Sequence, residues 1–291
     1  MRVSETMRYA QVARSLGSLA GRQAEAARRA STGQRVGRPS ADPIAAAELV
    51  RIEAALRRTQ THQTTIRDVS GDAQLAEGVL AEAGDVFLRL RELAMQAAND
   101  SLGAAERDGI ADEVAELRSQ LIGIANTKGA RGYIFAGHQI DAEPFSAAGV
   151  FSGDDGAHNV EVGDGVTSRV NVSGAQAFTA AGGVDIFAEL TSFEAALRAN
   201  DTAAIASSLT PLDASRDQLL AARADAGLIT SRLDVASAVL DRSELALTEQ
   251  SSVVGDADAF SSIGELSQVS STIEQAIAVA RTTLNTSLAR F

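Results

Sequence analysis

A stripe of apolar and small residues, spaced alternately three and four positions apart, runs along the chain from Leu49 to Ala97. Only Thr59 and Gln63 interrupt it with polar side chains. This spacing places all its members on one face of an α-helix, and the stripe is longer than an ordinary globular helix requires. The stripe therefore predicts a long helix that packs along its length against other helices.

The same spacing recurs towards both ends of the chain. The first terminal stripe covers Tyr9 to Ala30 and includes Val12, Leu16 and Leu19. A second stripe runs from Leu212 to Leu247, and after a break at residues 255–258 the last one continues through Ile263, Leu266, Ile273, Ile277 and Leu284 to Phe291. Because burying a Leu or Ile is worth about 1.5–3 kcal/mol, we expect the terminal stripes to pair and to bury against other copies of the chain.

Prolines, glycines and polar clusters mark where the predicted helices end. The segment from Gly33 to Pro43 contains Pro39 and forbids helix, and Asp42 is placed to cap a helix that has Pro43 as its first residue. The segment 99–103 interrupts the long stripe, which resumes from Ile110 to Ile124. A connection this short predicts that the chain doubles back as an antiparallel helical hairpin.

The middle of the chain, from about Ala142 to Gly183, lacks the helical period. Valines at 160 and 162 and then at 166, 170 and 172 alternate with other residues around Gly163-Asp164-Gly165, a pattern typical of a half-buried β-hairpin. A sheet this small is not expected to bury much, so we interpret it as a knob carried by the helices. Helix is predicted again from Asp185.

The composition agrees with an assembly of helices. Hydrophobic residues make up 45% of the chain, but aromatic residues only 4% and there is no Trp, which suits narrow seams between helices. We predict a mainly α fold: an elongated antiparallel helical bundle or coiled coil formed by the N- and C-terminal arms, with a small β-rich central insert. The expected domains are terminal coiled-coil segments at 1–40 and 255–291, a helical bundle at 41–140 and 184–254, and a small outer β-rich domain at 141–183.

Charge and residue usage exclude several classes of function. A formal net charge of −12 with a pI near 4.8 argues against nucleic-acid binding. Without Cys there can be neither a disulfide framework nor a thiolate metal site. The N-terminus lacks the apolar segment of a cleaved signal peptide, and no run approaches the ~18 apolar residues of a membrane span. We therefore expect no membrane insertion.

No constellation of residues indicates catalysis. His62, His138 and His158 are far apart in sequence, and none has a second metal ligand at helix or hairpin spacing. The segment 152–156 lacks the alternating ligands and terminal Glu of a calcium loop. Neither a phosphate-binding loop nor a Gly-x-Ser-x-Gly motif is present. We predict no enzyme, with no catalytic residue, no metal ligand and no cofactor.

Over essentially its whole length the chain resembles the flagellin superfamily of bacterial axial proteins. The most specific motif is the run from Gly132 to Gly137, and Ala41 replaces the first aspartate of the family's usual Ser-Asp-Asp-Pro loop. These motifs are similar to those of junction proteins rather than of flagellins. The residues that carry the resemblance are Pro39, Asp42, Pro43, Asn126, Gly132, Tyr133, Phe135, Gly137, Pro144 and Phe145.

The resemblance implies a structural adaptor that joins the flagellar hook to the filament. Its partners would be copies of itself, a hook-associated protein on the hook side, flagellin on the filament side and an export chaperone. It implies secretion through the flagellar type III apparatus without a cleaved signal peptide, and terminal segments that are disordered in the monomer and form a lumenal coiled-coil layer on assembly.

Two alternatives remain open from the sequence. A short flagellin would itself polymerise into the filament. A general coiled-coil scaffold or signalling protein would explain the terminal stripes, but it would not explain the β-rich middle.

Overall fold

The computed structural model describes residues 2–288, with the side chains of residues 2–6, 8, 9 and 283–288 left aside. Within this range the fold is mainly α, as predicted. The seven α-helices are α1 (Arg2–Thr32), α2 (Pro43–Ala97), α3 (Ala104–Ala125), α4 (Gly174–Phe178), α5 (Ile186–Arg198), α6 (Thr202–Gly255) and α7 (Ala259–Leu288). Two strands, β1 (Asn159–Gly163) and β2 (Val166–Arg169), precede α4, and a 3-10 turn (Ala180–Gly182) follows it.

The described residues form two compact units. Unit 1 combines the residues up to Arg58 with those from Ser243 onward, and unit 2 comprises Thr59–Arg242. Helices α2 and α6 each contribute residues to both units. The three-part domain division given above stays a prediction.

Unit 2 contains the predicted helical hairpin. Arg89 on α2 pairs with Glu113 on α3 at 2.7 Å, and the Gln120 amide on α3 donates to the Glu82 carboxylate on α2 at 3.3 Å. The later residue on α2 thus meets the earlier residue on α3, as in an antiparallel pair. The segment 99–103 therefore separates α2 from α3 and lets the chain turn back, as predicted.

Helix α6 begins earlier than its apolar stripe indicates. Two backbone N–H groups, of Ala203 and Ala204, donate to the Asp201 side chain and cap the first turn. Pro211 lies inside the helix, and the Ser215 hydroxyl donates to the Pro211 carbonyl at 2.8 Å. The start at Thr202 was missed because a proline normally ends a helix.

The central insert contains the predicted β-hairpin. Strands β1 and β2 pair antiparallel, with Asn159 opposite Arg169 and Val160 opposite Ser168. Gly165 has φ +72°, which fits the glycine-rich turn. The helix α4 and the 3-10 turn after the sheet were not predicted.

The insert is not merely a knob carried by the helices, because it contributes side chains to their core. Phe145, Val162, Val170 and Phe178 are buried and belong to the same hydrophobic core as residues of α2, α3, α5 and α6. The small sheet supplies only part of this burial. Apolar side chains from the segments on both sides of it supply the rest, and they anchor the insert in unit 2.

Across residues 2–288, none of the helices combines the length and hydropathy that crossing a membrane requires.

Candidate functional site

The two terminal helices pack against each other in unit 1. The Gln23 amide on α1 donates to the Ser270 hydroxyl on α7 at 3.2 Å, and Arg29 lies 3.5 Å from Glu265. The pairing is antiparallel, since the later residue on α1 meets the earlier residue on α7. Gln23, the polar residue within the first terminal stripe, thus finds a polar partner within the last one.

The register of α7 differs in part from the predicted stripe. Leu266 and Ile273 are half-buried, as are Val12, Leu16 and Leu19 on α1. Ile263 and Ile277, however, are 59% and 39% exposed, and the buried apolar side chains among those described on α7 are Val269 and Ala280. Leu284 lies in α7, but its side chain is not among those described, and Phe291 lies outside the described residues. The use of these residues as contacts between copies stays a prediction.

A groove of about 330 Å³ lies between the two terminal helices. Val12, Ser15 and Leu16 line it from α1, and Ala276, Val279 and Ala280 are among the residues that line it from α7. Thr272 and Gln275 complete the lining on the α7 side. The pair therefore has apolar surface that α1 and α7 do not cover between them.

Two loops join at the base of the terminal pair and form a junction that we call the clasp, comprising residues 33–42 and 254–258. The Arg35 N–H donates to the Gly255 carbonyl at 2.7 Å, and the Ala257 N–H donates to the Gly33 carbonyl at 2.8 Å. These backbone bonds tie the segment after α1 to the segment before α7. The chain segments that enter and leave both terminal helices are thereby fixed side by side.

Arg35 extends the clasp to α2 and α6. Its guanidinium donates to the Val254 carbonyl near the end of α6, at 2.6 Å from Nη2, and pairs with Asp42 at 3.0 Å. Asp42 in turn accepts from the Ala45 N–H at 3.1 Å. It caps α2, with Pro43 as the first helical residue and Pro39 in the preceding turn, as predicted. The Ala45 N–H and then Arg35 hold the pKa of Asp42 below its ordinary value.

The segment 126–145 in unit 2 contains most of the residues that carry the resemblance, and it begins with Asn126. The Asn126 side chain pairs with the backbone of Phe145 through two hydrogen bonds, as a neighbouring strand would. The Asn126 amide donates to the Phe145 carbonyl at 2.7 Å, and its oxygen accepts from the Phe145 N–H at 2.9 Å. Asn126 also ends α3. One side chain thus closes the whole segment 126–145 into a loop, with Pro144 buried at its end.

Glycine is required at two positions of this loop. Gly132 has φ +136°, and a Cβ there would lie 2.5 Å from the Ile140 carbonyl oxygen. Gly137 has φ +67°, and a Cβ there would lie 2.2 Å from the Asp154 carbonyl oxygen. Between them, the Tyr133 hydroxyl donates to Glu143 at 3.2 Å.

Phenylalanines from the motif form the centre of an aromatic cluster. Phe135 and Phe145 meet Phe178 edge to face, with ring centroids 5.3 and 5.5 Å apart. Phe145 also meets Phe187 at the start of α5, at 5.3 Å. All four rings are at most 2% exposed. The motif therefore joins the insert to the helices of unit 2 through buried aromatic contacts.

Gln218 on α6 holds the insert by hydrogen bonds, a role that no sequence pattern predicts. It is 8% exposed, and its amide lies within 3.2 Å of three carbonyl oxygens, those of Ala177, Thr179 and Val184. Its oxygen accepts from the Val184 N–H at 2.9 Å. The only sequence signal was a polar residue beside the buried row of α6.

Arg107 at the start of α3 is 3% exposed. It donates to the carbonyls of Ala97 and Asn99 at 3.0 and 2.9 Å and to the Asn200 side chain at 2.5 Å. A cation at the C-terminal carbonyls of α2 is favoured by the helix dipole. Arg107 thereby ties the α2–α3 turn to the α5–α6 turn.

Two of the three histidines lie close together, although they are distant in sequence. The rings of His138 and His158 are 4.8 Å apart, and His158 Nε2 donates to the Gly137 carbonyl at 2.6 Å. The backbone N–H of His138 donates to Asp154, and this bond comes first among the causes that lower the pKa of Asp154. In the part of the chain that is described, no three His, Asp or Glu side chains converge as a metal site.

Comparison with known proteins identifies relatives along most of the chain. The model of the bacterial flagellin N-terminal helical region matches residues 3–139. Hook-associated protein 3 of Escherichia coli is 28% identical over 285 residues, 89% of each protein. That of Salmonella typhimurium is 31% identical over 183 residues, 61% of this chain and 57% of its own length. A Clostridium tyrobutyricum flagellin is 31% identical over 97 residues, 33% of this chain and 26% of its own length.

Solved structures share the fold. A flagellar hook-associated protein from Vibrio parahaemolyticus, 21% identical, superposes with a TM-score of 0.68 over 74% of this chain and 99% of its own. FlgL from Bacillus cereus, 22% identical, gives 0.61 over 69% of this chain and 99% of its own.

Proposed function

Because this chain belongs to the flagellin superfamily and is similar over most of its length to hook-associated protein 3, we propose that it is a structural subunit of the bacterial flagellum. It would act as an adaptor that joins the hook, through a neighbouring hook-associated protein, to the flagellin filament. The observation that carries the proposal is the antiparallel pair of α1 and α7, which leaves an apolar groove open beside Leu16. The role requires no catalysis.

Assembly would proceed by burying the terminal pair against adjacent copies. Leu16 and Ile273 are half-buried, and Ile263 and Ile277 are exposed, so each has apolar surface to lose to a neighbour. Ordering segments on binding costs roughly 2–5 kcal/mol or more of the gross interaction energy. Burial of several such side chains, at about 1.5–3 kcal/mol each, is sufficient to offset that cost.

The same proposal includes the other partners of the subunit and the route by which it is exported. Copies of the chain would form the junction, with flagellin on the filament side and an export chaperone before secretion. The subunit would leave the cytoplasm by the flagellar type III route without a cleaved signal peptide. The terminal segments would form the lumenal layer, and the insert would face outward.

A short flagellin is the second candidate, because the flagellin model also matches the N-terminal half of the chain. The extent of similarity favours the junction role: hook-associated protein 3 of Escherichia coli aligns over 89% of this chain, and the Clostridium flagellin over 33%. A general coiled-coil scaffold has less support, since it would not require a buried insert.

The direct test is electron microscopy of cells that lack the gene, with an immunoblot for flagellin in the culture medium. The junction role predicts complete hooks without filaments, flagellin lost to the medium, and recovery of filaments when the gene is restored. Normal filaments in the deletion strain would contradict the proposal. Long filaments formed by the purified chain alone would favour the flagellin reading instead.

A further inference from the structure

Helix α6 has an exposed apolar face within unit 2. Leu228, Val235 and Val239 are 47%, 62% and 54% exposed and follow one another at spacings of seven and four. The buried residues of the same stretch, which include Ala226, Ile229 and Leu233, lie on roughly the opposite side of the helix. We call the side that carries Leu228, Val235 and Val239 the α6 outer face. It is not explained by packing within unit 2.

Charges on this face are separated along the helix. Asp217 and Asp225 lie towards its N-terminal end, and Arg232 and Arg242 lie towards its C-terminal end. At 100° per residue, all four lie within about 60° of the apolar row. Asp225, Arg232 and Arg242 form no ion pair among the described residues, and Asp217 lies 3.8 Å from its neighbour Arg216. Along the helix the face therefore begins with the two aspartates, continues through Leu228 and Arg232, and ends with Val235 and Val239 followed by Arg242.

Such a face is complementary to itself only in the antiparallel direction. The two aspartates and the two arginines are arranged nearly symmetrically about one point of the helix. The sequence midpoint of Asp225 and Arg232 lies within two residues of Leu228, and so does the midpoint of Asp217 and Arg242. A two-fold axis at that position would set each aspartate opposite an arginine of the other copy and Leu228 close to its own symmetry mate. Parallel docking would instead bring like charges together.

We propose that the α6 outer face docks onto the same face of a second copy, antiparallel and about a two-fold axis near Leu228. Charge complementarity specifies this partner, because an isologous contact presents the same residues twice. Leu228 supplies burial at the axis, and Val235 and Val239 would lie against the N-terminal part of the other copy's face. The Asp225–Arg232 pairs, each worth little on their own, set direction and register.

The contact is narrow. From Asp217 to Arg242 the face is about 38 Å long and about 10 Å wide. Its area of roughly 400 Å² is well below the ~800 Å² per partner of a standard stable interface. We expect a dissociation constant in the micromolar range or weaker. A closed two-fold pair cannot extend into a ring or filament, which needs head-to-tail contacts. The pair is therefore a state of the unassembled subunit, and it does not rest on the proposed function.

Charge reversal tests the pairing on the purified full-length chain by sedimentation velocity at concentrations up to ~1 mM. Asp225→Arg and Arg232→Asp should each weaken dimerisation at least tenfold, because each sets like charges opposite one another. Dimerisation should be recovered in the double variant and in an equimolar mixture of the two single variants, because opposite charges then face one another again. Glu116→Arg, a reversal on the exposed side of α3, should have no effect. Equal dimerisation in all samples, or none in the wild type, would overturn the proposal.

Cross-linking tests the direction of docking independently, since the chain contains no cysteine. Under mild oxidation Leu228→Cys should form a disulfide-linked dimer, because the residue lies near the two-fold axis. Val239→Cys should not, because the two copies of residue 239 would be roughly 30 Å apart. Cross-linking of both variants would indicate a parallel pair, and cross-linking of neither would indicate that no pair forms here. Either result would overturn the proposal.

Discussion

The aromatic core of unit 2 and the terminal helix pair of unit 1 bury apolar side chains to different degrees. The rings of Phe135, Phe145, Phe178 and Phe187 are at most 2% exposed and contact one another. In the terminal pair, Leu16 and Ile273 are only half-buried, and a groove remains open between the two helices. Unit 2 thus has a core complete in one copy, and the terminal pair has surface left for a neighbour.

The polar contacts differ in the same way. Gln218 and Arg107 in unit 2 are buried, and each joins several backbone carbonyls. In unit 1, Arg35 and Asp42 remain substantially exposed. Buried hydrogen bonds are costly to break, and exposed ion pairs are worth little. The comparison indicates that unit 2 is stabilised within the single chain, and that the terminal pair leaves surface for the assembly contact proposed above.

The largest expected effect is on the stability of unit 2, and it can be tested by making the same Phe-to-Ala substitution in both regions. Phe178→Ala should lower the free energy of unfolding of unit 2 by about 3–5 kcal/mol, because it leaves a cavity in the aromatic cluster. Phe260→Ala on α7, where the ring is 92% exposed, should change it by less than about 0.5 kcal/mol. Urea denaturation followed by circular dichroism measures both. Equal effects would mean that the core does not depend on this cluster.

Removing the buried amide should have the next largest effect. Gln218→Ala leaves the Val184 N–H and three carbonyls without their partner, so we expect a loss of about 2 kcal/mol. Hydrogen exchange should also accelerate in residues 176–184, while α3 stays protected. The exposed Gln74 on α2 provides the matched control. Unchanged exchange in residues 176–184 would show that the insert is held by its apolar contacts alone.

A buried residue of the terminal pair should affect only that pair. Val269→Ala should cost about 1 kcal/mol, because it truncates an apolar side chain of α7 that is only 4% exposed. The expected readout is faster hydrogen exchange in α1 and α7 with no change in residues 59–242. The exposed Val279→Ala serves as the control. Loss of protection throughout unit 2 would contradict the distinction between the regions.

The smallest expected effect concerns pH at the clasp. The pKa of Asp42 is lower in the folded chain than its ordinary value, so the cap it makes is fully present above the unfolded pKa of about 3.9 and is lost as pH falls through the folded value. The amide resonance of Ala45 should therefore move only at acidic pH. In Asp42→Asn, whose side-chain oxygen can still accept the bond, this movement should disappear. Its persistence would assign the titration to another group.

Local patterns were sufficient to predict most of the helices. Helix α2 begins at Pro43 and ends just before residues 99–103, as predicted, because each of these features acts on the backbone around it. The β-hairpin followed from alternation around Gly165 for the same reason. The start of α6 was missed, because tertiary contacts and an Asp201 cap override Pro211.

Long-range contacts were not visible in the sequence. Gln218 and its partners are separated by more than thirty positions, and periodicity carries no information about such pairs. The burial of the insert was underestimated because Phe145 and Phe178 lie outside the strands that the pattern revealed. On α7, the rows that contain Ile263 and Val269 are both apolar, and only the packing against α1 decides between them.

The most direct test of the account is to restore the gene, in the deletion strain, as wild type, as Leu16→Asp or as the volume-conserving Leu16→Met. Electron microscopy would count filaments, and an immunoblot would detect the subunit in the medium. The account predicts that Leu16→Asp is exported but leaves hooks without filaments, because a charge in the terminal groove prevents burial against neighbouring copies, and that Leu16→Met restores filaments. Wild-type numbers of filaments from Leu16→Asp would show that the terminal pair is not the assembly surface.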